Sequence, residues 1–200
     1  MLTRSTRSLL SLAGSQKLIP IVENRAQLLH ALDISEAKTI FFRHCNLFEI
    51  SALLKHAYQR SRTFYVNVDH IDGIHPDSAG LHYLARQFHV TGIISSNPRT
   101  LALAKGCELE TIQRIFAMDS TGLEVALDSV DRQYVDLLDI APALAVPAVV
   151  PSLLTQLPLP FTASGLVFTF KQVGAIINAG AIAVAVSKSE LFSVSSSSRN

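Results

Sequence analysis

Tryptophan is missing from this chain of 200 residues, and only two cysteines occur. Cys45 and Cys107 stand far apart and match no metal-ligand spacing, so a metal site built on cysteine is excluded. A reduced, intracellular protein is the expectation, with a single disulfide left open as the alternative. Charge of one sign is equally scarce. Charged residues make up 16% and the net charge is +1, which excludes the global basic field that announces nucleic-acid binding. Low charge beside 48% hydrophobic residues also excludes a disordered chain. Long hydrophobic runs are lacking too. Ile140–Leu154 is interrupted by Pro142, Pro147 and Pro151. Ala175–Val186 falls short of the ~20 residues a helix needs to cross a bilayer, so no membrane partner is expected. Signature motifs are missing as well. No G-x-G-x-x-G follows the first apolar run, no P-loop and no H-E-x-x-H occur, and Thr162-Ala163-Ser164-Gly165 lacks the leading glycine of a nucleophile elbow. No catalytic residue is therefore assigned.

What is present is an alternation. Apolar, β-branched runs predict strands at Leu18–Val22, Thr39–Cys45, Thr63–Val68, Val90–Ser95, Glu110–Ala117, Tyr134–Ile140, Leu159–Ala163 and Ala181–Val186. Helical patterns fall between them, opened by Asn24, by Pro98 and by Asp119 or Ser120. Eight buried strands with intervening helices predict a parallel sheet closed into a TIM-like (β/α)8 barrel with one or two short or missing helices. An open doubly wound sheet alternates in the same way but is weakened by the missing glycine fingerprint. Residues 17–192 are expected to form this single domain. Residues 1–16 carry Arg4 and Arg7 with several Ser and Thr and no acid. That is a transit-peptide-like composition, read here as a short frayed extension. The Ser-rich tail 193–200 is expected to be disordered.

In a barrel, ligands bind on the loops after the strands, so the polar residues at strand ends are the candidates. Asn67, Asp69, His70 and Asp72 follow strand three, Gln113 and Arg114 lie on strand five, and Asp139 lies near the end of strand six. Ser164-Gly165 and Ser187-Lys188 end strands seven and eight, where phosphate-binding barrels hold their anion. Gly165 would admit a close backbone approach, a helix N-terminus would offer N–H donors, and Lys188 would add a charge. An ordinary strand-to-helix turn is the alternative. Arg114 sits inside an apolar strand, where an unpaired guanidinium is costly, and must pair with Asp69, with Asp139 or with a ligand. His70 reads as a hydrogen-bonding loop residue and not as a base. Asp69, His70 and Asp72 lack a recognised metal spacing, so no metal is expected. Residues 1–114 hold 13 Lys/Arg and 9 Asp/Glu, whereas residues 115–200 hold 4 and 7. Arg43, Lys55, Arg60 and Arg62 concentrate the positive half, either as a solvated helix face or as a binding patch.

Leu18-Ile-Pro-Ile21, Val66-Asn-Val-Asp-His-Ile-Asp-Gly-Ile74, Thr91-Gly-Ile-Ile-Ser-Ser96, Thr111-Ile-Gln-Arg-Ile-Phe116 with Asp119-Ser120, Asn178-Ala-Gly-Ala-Ile-Ala-Val-Ala-Val-Ser187 and Leu191-Phe192 recur in a specific order. Over about Leu18–Phe192 the chain thereby resembles the glycerol-3-phosphate-responsive antiterminator family, regulators of glycerol-use operons in bacteria. The resemblance implies a TIM-like barrel that binds glycerol 3-phosphate as effector, needs no cofactor, and stabilises a leader mRNA against termination. It implies a cytoplasmic sensor and not an enzyme, with RNA contacts expected on Arg43, Lys55, Arg60 and Arg62; a homodimer is left open. Two positions depart from the family pattern. Asp139-Ile-Ala-Pro142-Ala143 stands where the family has a glutamate and then Pro-Gly, and Ser164 replaces the first glycine of Ala-Gly-Gly. The alternatives are a barrel enzyme acting on a small phosphorylated metabolite, with Asp69 or Asp139 as base and Arg114 as electrostatic stabiliser, and a divergent barrel that has lost its ligand.

Overall fold

The computed structural model describes residues 8–10, 17–34, 38–58, 62–150 and 159–193. Strand β1 (Leu18–Val22) leads to helix α1 (Arg25–Asp33), β2 (Thr39–Phe42) to α2 (Leu47–Tyr58), and β3 (Thr63–Asn67) through a 3-10 turn (Val68–His70) to α3 (Ser78–Gln87). β4 (Gly92–Ser95) leads to α4 (Pro98–Gly106), β5 (Glu110–Phe116) to α5 (Ser120–Asp128), and β6 (Leu137–Ala141) to a second 3-10 turn (Ala143–Ala145). β7 (Phe161–Ser164) leads to α6 (Phe170–Asn178), and β8 (Ala183–Val186) to a third turn (Ser189–Leu191). The eight strands pair in parallel and in sequence order, and β8 closes on β1 with Leu18 opposite Val184. The expected (β/α)8 barrel is the fold.

Helices begin where a side chain supplies an acceptor for an orphan N–H. Asn24, Asp77, Asn97, Asp119 and Thr169 accept from the backbones of Gln27, Gly80, Arg99, Gly122 and Gln172. Several strand limits differ from the sequence expectation for local reasons. β2 stops at Phe42 and not at Cys45, because His44 takes the left-handed conformation (φ 54°) and breaks the ladder. β6 starts at Leu137 and not at Tyr134, whose N–H turns back onto the Asp131 carbonyl at 2.9 Å. β4 starts at Gly92 and not at Val90, whose N–H donates to the Leu84 carbonyl at 3.3 Å. β8 starts at Ala183 and not at Ala181, whose N–H still answers the Ile176 carbonyl of α6. β7 shifts to Phe161–Ser164, which brings Ser164 into the sheet.

Because successive strand residues face opposite sides, the core is double. Ile19, Ile21, Phe41, Tyr65, Ile94, Ile112, Leu137, Ala183 and Ala185 fill the lumen. Their neighbours, among them Ile40, Phe42, Phe64, Val66, Ile93, Ile115, Leu138 and Val184, pack outward against the helices. Gly92 makes room for this arrangement: a Cβ there would meet the Glu110 carbonyl at 2.2 Å and the Tyr65 ring at 2.8 Å.

The floor of the lumen is closed by part of the stretch expected to fray. Leu9 is buried there, and its N–H donates to the Tyr65 hydroxyl at 2.7 Å and to the Glu110 carboxylate at 3.1 Å. The Tyr65 O–H in turn donates to Glu110. Burial raises the Glu110 carboxyl above its ordinary value against the pull of these donors. A raised acid pKa contributes stability at low pH that is lost as pH rises through the folded-state value. Glu110→Gln keeps an acceptor for both donors and removes the charge. We expect its melting temperature relative to wild type to climb as pH is raised from 4.5 to 7.5, read by circular dichroism at each pH; a constant difference would sever Glu110 from the pH dependence.

Both cysteines are free and buried, so the disulfide left open by the sequence does not form. Burial first, then the charges of Glu49 and Glu23, push the Cys45 thiol up to about 12. Burial also raises Cys107. The thiolate is the reactive form. Iodoacetamide at pH 8 is therefore expected to leave both cysteines unmodified in the folded protein and to label both after unfolding, as read by mass spectrometry. Among the described residues, no helix is long and apolar enough to cross a membrane, and no three His, Cys, Asp or Glu side chains cluster as a metal site.

Candidate ligand site at the barrel mouth

Strand parity decides which rim residues look into the barrel. Ile112 faces the lumen, so Arg114 does too, and by the same rule Asp139 follows Leu137 and Asn67 follows Tyr65. In the sheet register Arg114 lies opposite Asp139, and Asp139 opposite Thr162. These residues form one polar layer above the apolar lumen. Arg114 donates from Nε at 2.9 Å and from Nη2 at 2.8 Å to Asp139 Oδ2. Ser164 Oγ donates to the same oxygen at 2.7 Å, and Thr162 Oγ1 donates to Oδ1 at 2.9 Å. Asp139 is fully buried, while Arg114 keeps 8% of its surface at the mouth. The carboxylate is thus saturated by four donor contacts, which is what holds a buried ion pair together.

Of the two partners the sequence offered Arg114, the structure selects Asp139. Asp69 turns elsewhere: it accepts from Ser95 Oγ at 2.5 Å, from the Ser96 N–H at 2.6 Å and from Ser96 Oγ at 2.9 Å, clasping the loop after β4. The Asn67 amide oxygen accepts from the Asp69 N–H at 3.2 Å and shapes the turn. Gln113 does not join the rim. Its parity sends it outward, where its amide donates to Ser129 Oγ at the end of α5 at 2.8 Å. Adjacent residues on a strand cannot both face the lumen, and that rule was readable in the Gln113-Arg114 pair. Asp72 belongs to the loop after β3 with its side chain exposed, and its backbone ties that loop to the one after β2.

On the β7–β8 side, Ser164 ends in the polar layer and Gly165 turns the chain with φ 85°, followed by Leu166 at φ 59°. The Gly165 carbonyl accepts from the Ala143 N–H at 3.1 Å, joining the loops after β6 and β7. The first turn of α6 is capped by its own residues: Phe168 and Thr169 N–H groups donate to Gln172 Oε1 at 2.8 and 3.0 Å. The N–H groups of Phe168, Thr169 and Gln172 are thus taken within the cap. Ser187 is exposed just beyond β8, and the Lys188 ammonium lies 4.8 Å from the centre of the Phe168 ring, across the loop after β7.

The basic patch does not form one surface among its described members. Arg43, just past the C-terminal end of β2, pairs with Glu23 at 2.7 Å. Arg62, just before the N-terminal end of β3, donates to the carbonyls of Leu32 and Ile34 at 3.2 and 3.0 Å. The two guanidiniums thus sit at opposite ends of the barrel. Arg60 and the Lys55 side chain lie outside the described residues.

Two members of the mouth escaped the sequence. Thr162 carries the signal that would have found it, two residues before Ser164 and so on the same face. His44 carries none, since its left-handed backbone brings it beside His70, with ring centroids 4.8 Å apart.

The pattern of the glycerol-3-phosphate-responsive antiterminators matches residues 18–192. A glycerol uptake operon antiterminator regulatory protein from Listeria monocytogenes superposes with a TM-score of 0.79 at 26% identity, covering 89% of this chain and 95% of that one. A glycerol uptake operon antiterminator-related protein from Thermotoga maritima superposes at 0.77 with 20% identity, covering 88% and 98%. Among curated sequences, the uncharacterised Escherichia coli protein YgcP is 25% identical over 190 residues, 93% of this chain and 96% of that protein.

Proposed function

This chain belongs to the glycerol-3-phosphate-responsive antiterminator family, and on that premise we propose that it is an effector-gated RNA-binding regulator of the cytoplasm. Glycerol 3-phosphate binds at the C-terminal mouth, and the liganded barrel binds the leader mRNA of glycerol-metabolism operons. The observation that carries this reading is the Arg114–Asp139–Ser164–Thr162 layer, with one guanidinium held toward the mouth by a buried carboxylate. Ser164, Gly165 and the loop carrying Ser187 and Lys188 flank it on one side, and Asn67 and the Asp69 turn flank it on the other.

The same layer supports a binder over an enzyme. A general base needs a carboxylate free to take a proton. Asp139 accepts from Arg114, Ser164 and Thr162, and Asp69 accepts from Ser95 and Ser96, so both carboxylates named for that role are engaged. Gating follows from linkage: an effector that prefers the RNA-competent state shifts the population toward it, and RNA tightens the effector in return. Millimolar glycerol 3-phosphate is expected to raise the melting temperature and to increase affinity for leader RNA in a filter-binding assay, with a steep loss of RNA affinity as salt rises. No thermal shift and no effect on RNA binding would remove the sensor reading.

A further inference from the structure

The loops after β2 and β3 are tied side by side. Asn46 and Asp72 pair in a parallel bridge, the Leu47 N–H donates to the Asp72 carbonyl at 3.0 Å, and the Asp72 N–H donates to the Cys45 carbonyl at 3.3 Å. This tie sets His44, held at φ 54°, against His70 at the end of the 3-10 turn, with ring centroids 4.8 Å apart and planes at 42°. Both rings are exposed at the C-terminal end of the barrel, the end at which Arg114 emerges. We propose that His44 and His70 form an anion-binding lip of the mouth, and that His70 takes up a proton when a phosphate monoester dianion binds there. The identity of the ligand rests on the effector reading above.

The charge arrangement explains why histidines fill this role. Arg114 is already balanced by Asp139, and Arg43 by Glu23. Asp69 is engaged by Ser95 and Ser96, and Glu49, in the first turn of α2, accepts from the Asn46 N–H. Asp72 adds one negative charge from the loop after β3. Arg114 and Arg43, the guanidiniums nearest His70, thus bring little net charge to a dianion, whereas a titrating ring supplies charge only when the ligand arrives. Burial first, and then His44, hold His70 below its ordinary value, with smaller contributions from Arg114 and Arg43 and an opposing pull from Asp69. His70 is therefore neutral at pH 7.5 in the empty site. A dianion beside it reverses the local field and favours the imidazolium.

The test is calorimetry of the full chain with glycerol 3-phosphate at pH 7.5, in two buffers of different ionisation enthalpy. A phosphate monoester, with its second pKa near ~6, is already a dianion at that pH, so proton uptake reports on the protein. Wild type is expected to take up a fraction of a proton. His70→Gln is expected to abolish the uptake and weaken binding about tenfold, the loss of one favourable charge interaction. His44→Gln removes one ring of the lip and leaves the titrating one, so binding is expected to weaken while the uptake persists; unweakened binding would take His44 out of the lip. Uptake unchanged in His70→Gln would overturn the lip while leaving the effector reading intact. If wild type binds no glycerol 3-phosphate, the effector reading falls, and the lip is decided by NMR titration of His70 with inorganic phosphate. A rise in its pKa supports the lip, and no rise overturns it.

Discussion

Asp139→Ala is expected to destabilise the folded chain by about 3–5 kcal/mol, the cost typical of removing one partner of a buried ion pair. The carboxylate is fully buried and gathers donors from β5 and β7, including both Arg114 nitrogens that reach it. Alanine would leave the guanidinium without its counter-charge and the Ser164 and Thr162 hydroxyls without their shared acceptor. Much of the cost is desolvation of an unpaired cation. Urea denaturation followed by circular dichroism reads the change. A loss below ~1 kcal/mol would mean that water at the mouth solvates Arg114 well enough to replace the carboxylate, as at an exposed pair.

The double replacement Arg114→Met with Asp139→Leu separates stability from binding. Exchanging a buried pair for apolar residues of similar size is often neutral, but the Ser164 and Thr162 hydroxyls still lose their acceptor, so stability is expected to recover only part of the Asp139→Ala loss. Glycerol 3-phosphate affinity is expected to fall at least ~100-fold, about 2.7 kcal/mol, because the guanidinium at the mouth is gone. Calorimetry on the refolded double variant measures this directly. Wild-type affinity in a stable double variant would move the effector away from the polar layer and onto the loops after β7 and β8 alone.

Much of the fold was legible because parallel strands covered on both faces read as plain apolar runs, and eight such runs alternate with capped helices. Strand limits were less so. Tyr134 looks like strand residues by composition, and only the turn through Asp131 shows otherwise. The Arg114–Asp139 pair was legible for an energetic reason: a guanidinium in an apolar strand must be answered, and few acids were placed to do it. Gln113 faces away from the rim because the period of two overrides its closeness in sequence to Arg114. The choice between Asp139 and Asp69 depended on strand register, and the seat of the Lys188 ammonium on a rotamer that finds the Phe168 ring. Arg43 and Arg62 part for a topological reason. Arg43 follows one strand and Arg62 precedes the next, so a helix between parallel strands carries them to opposite ends of the barrel.

Among the described residues, Leu9 and the packed lumen close the end of the barrel opposite Arg114. A small molecule seated on the Arg114 layer therefore leaves by the rim it entered through. Any large partner that comes to rest across that rim would therefore act as a stopper as well as a reader. Release of the small molecule would wait on departure of the large one, so residence time, and not affinity alone, would set how long a signal outlasts the metabolite that started it.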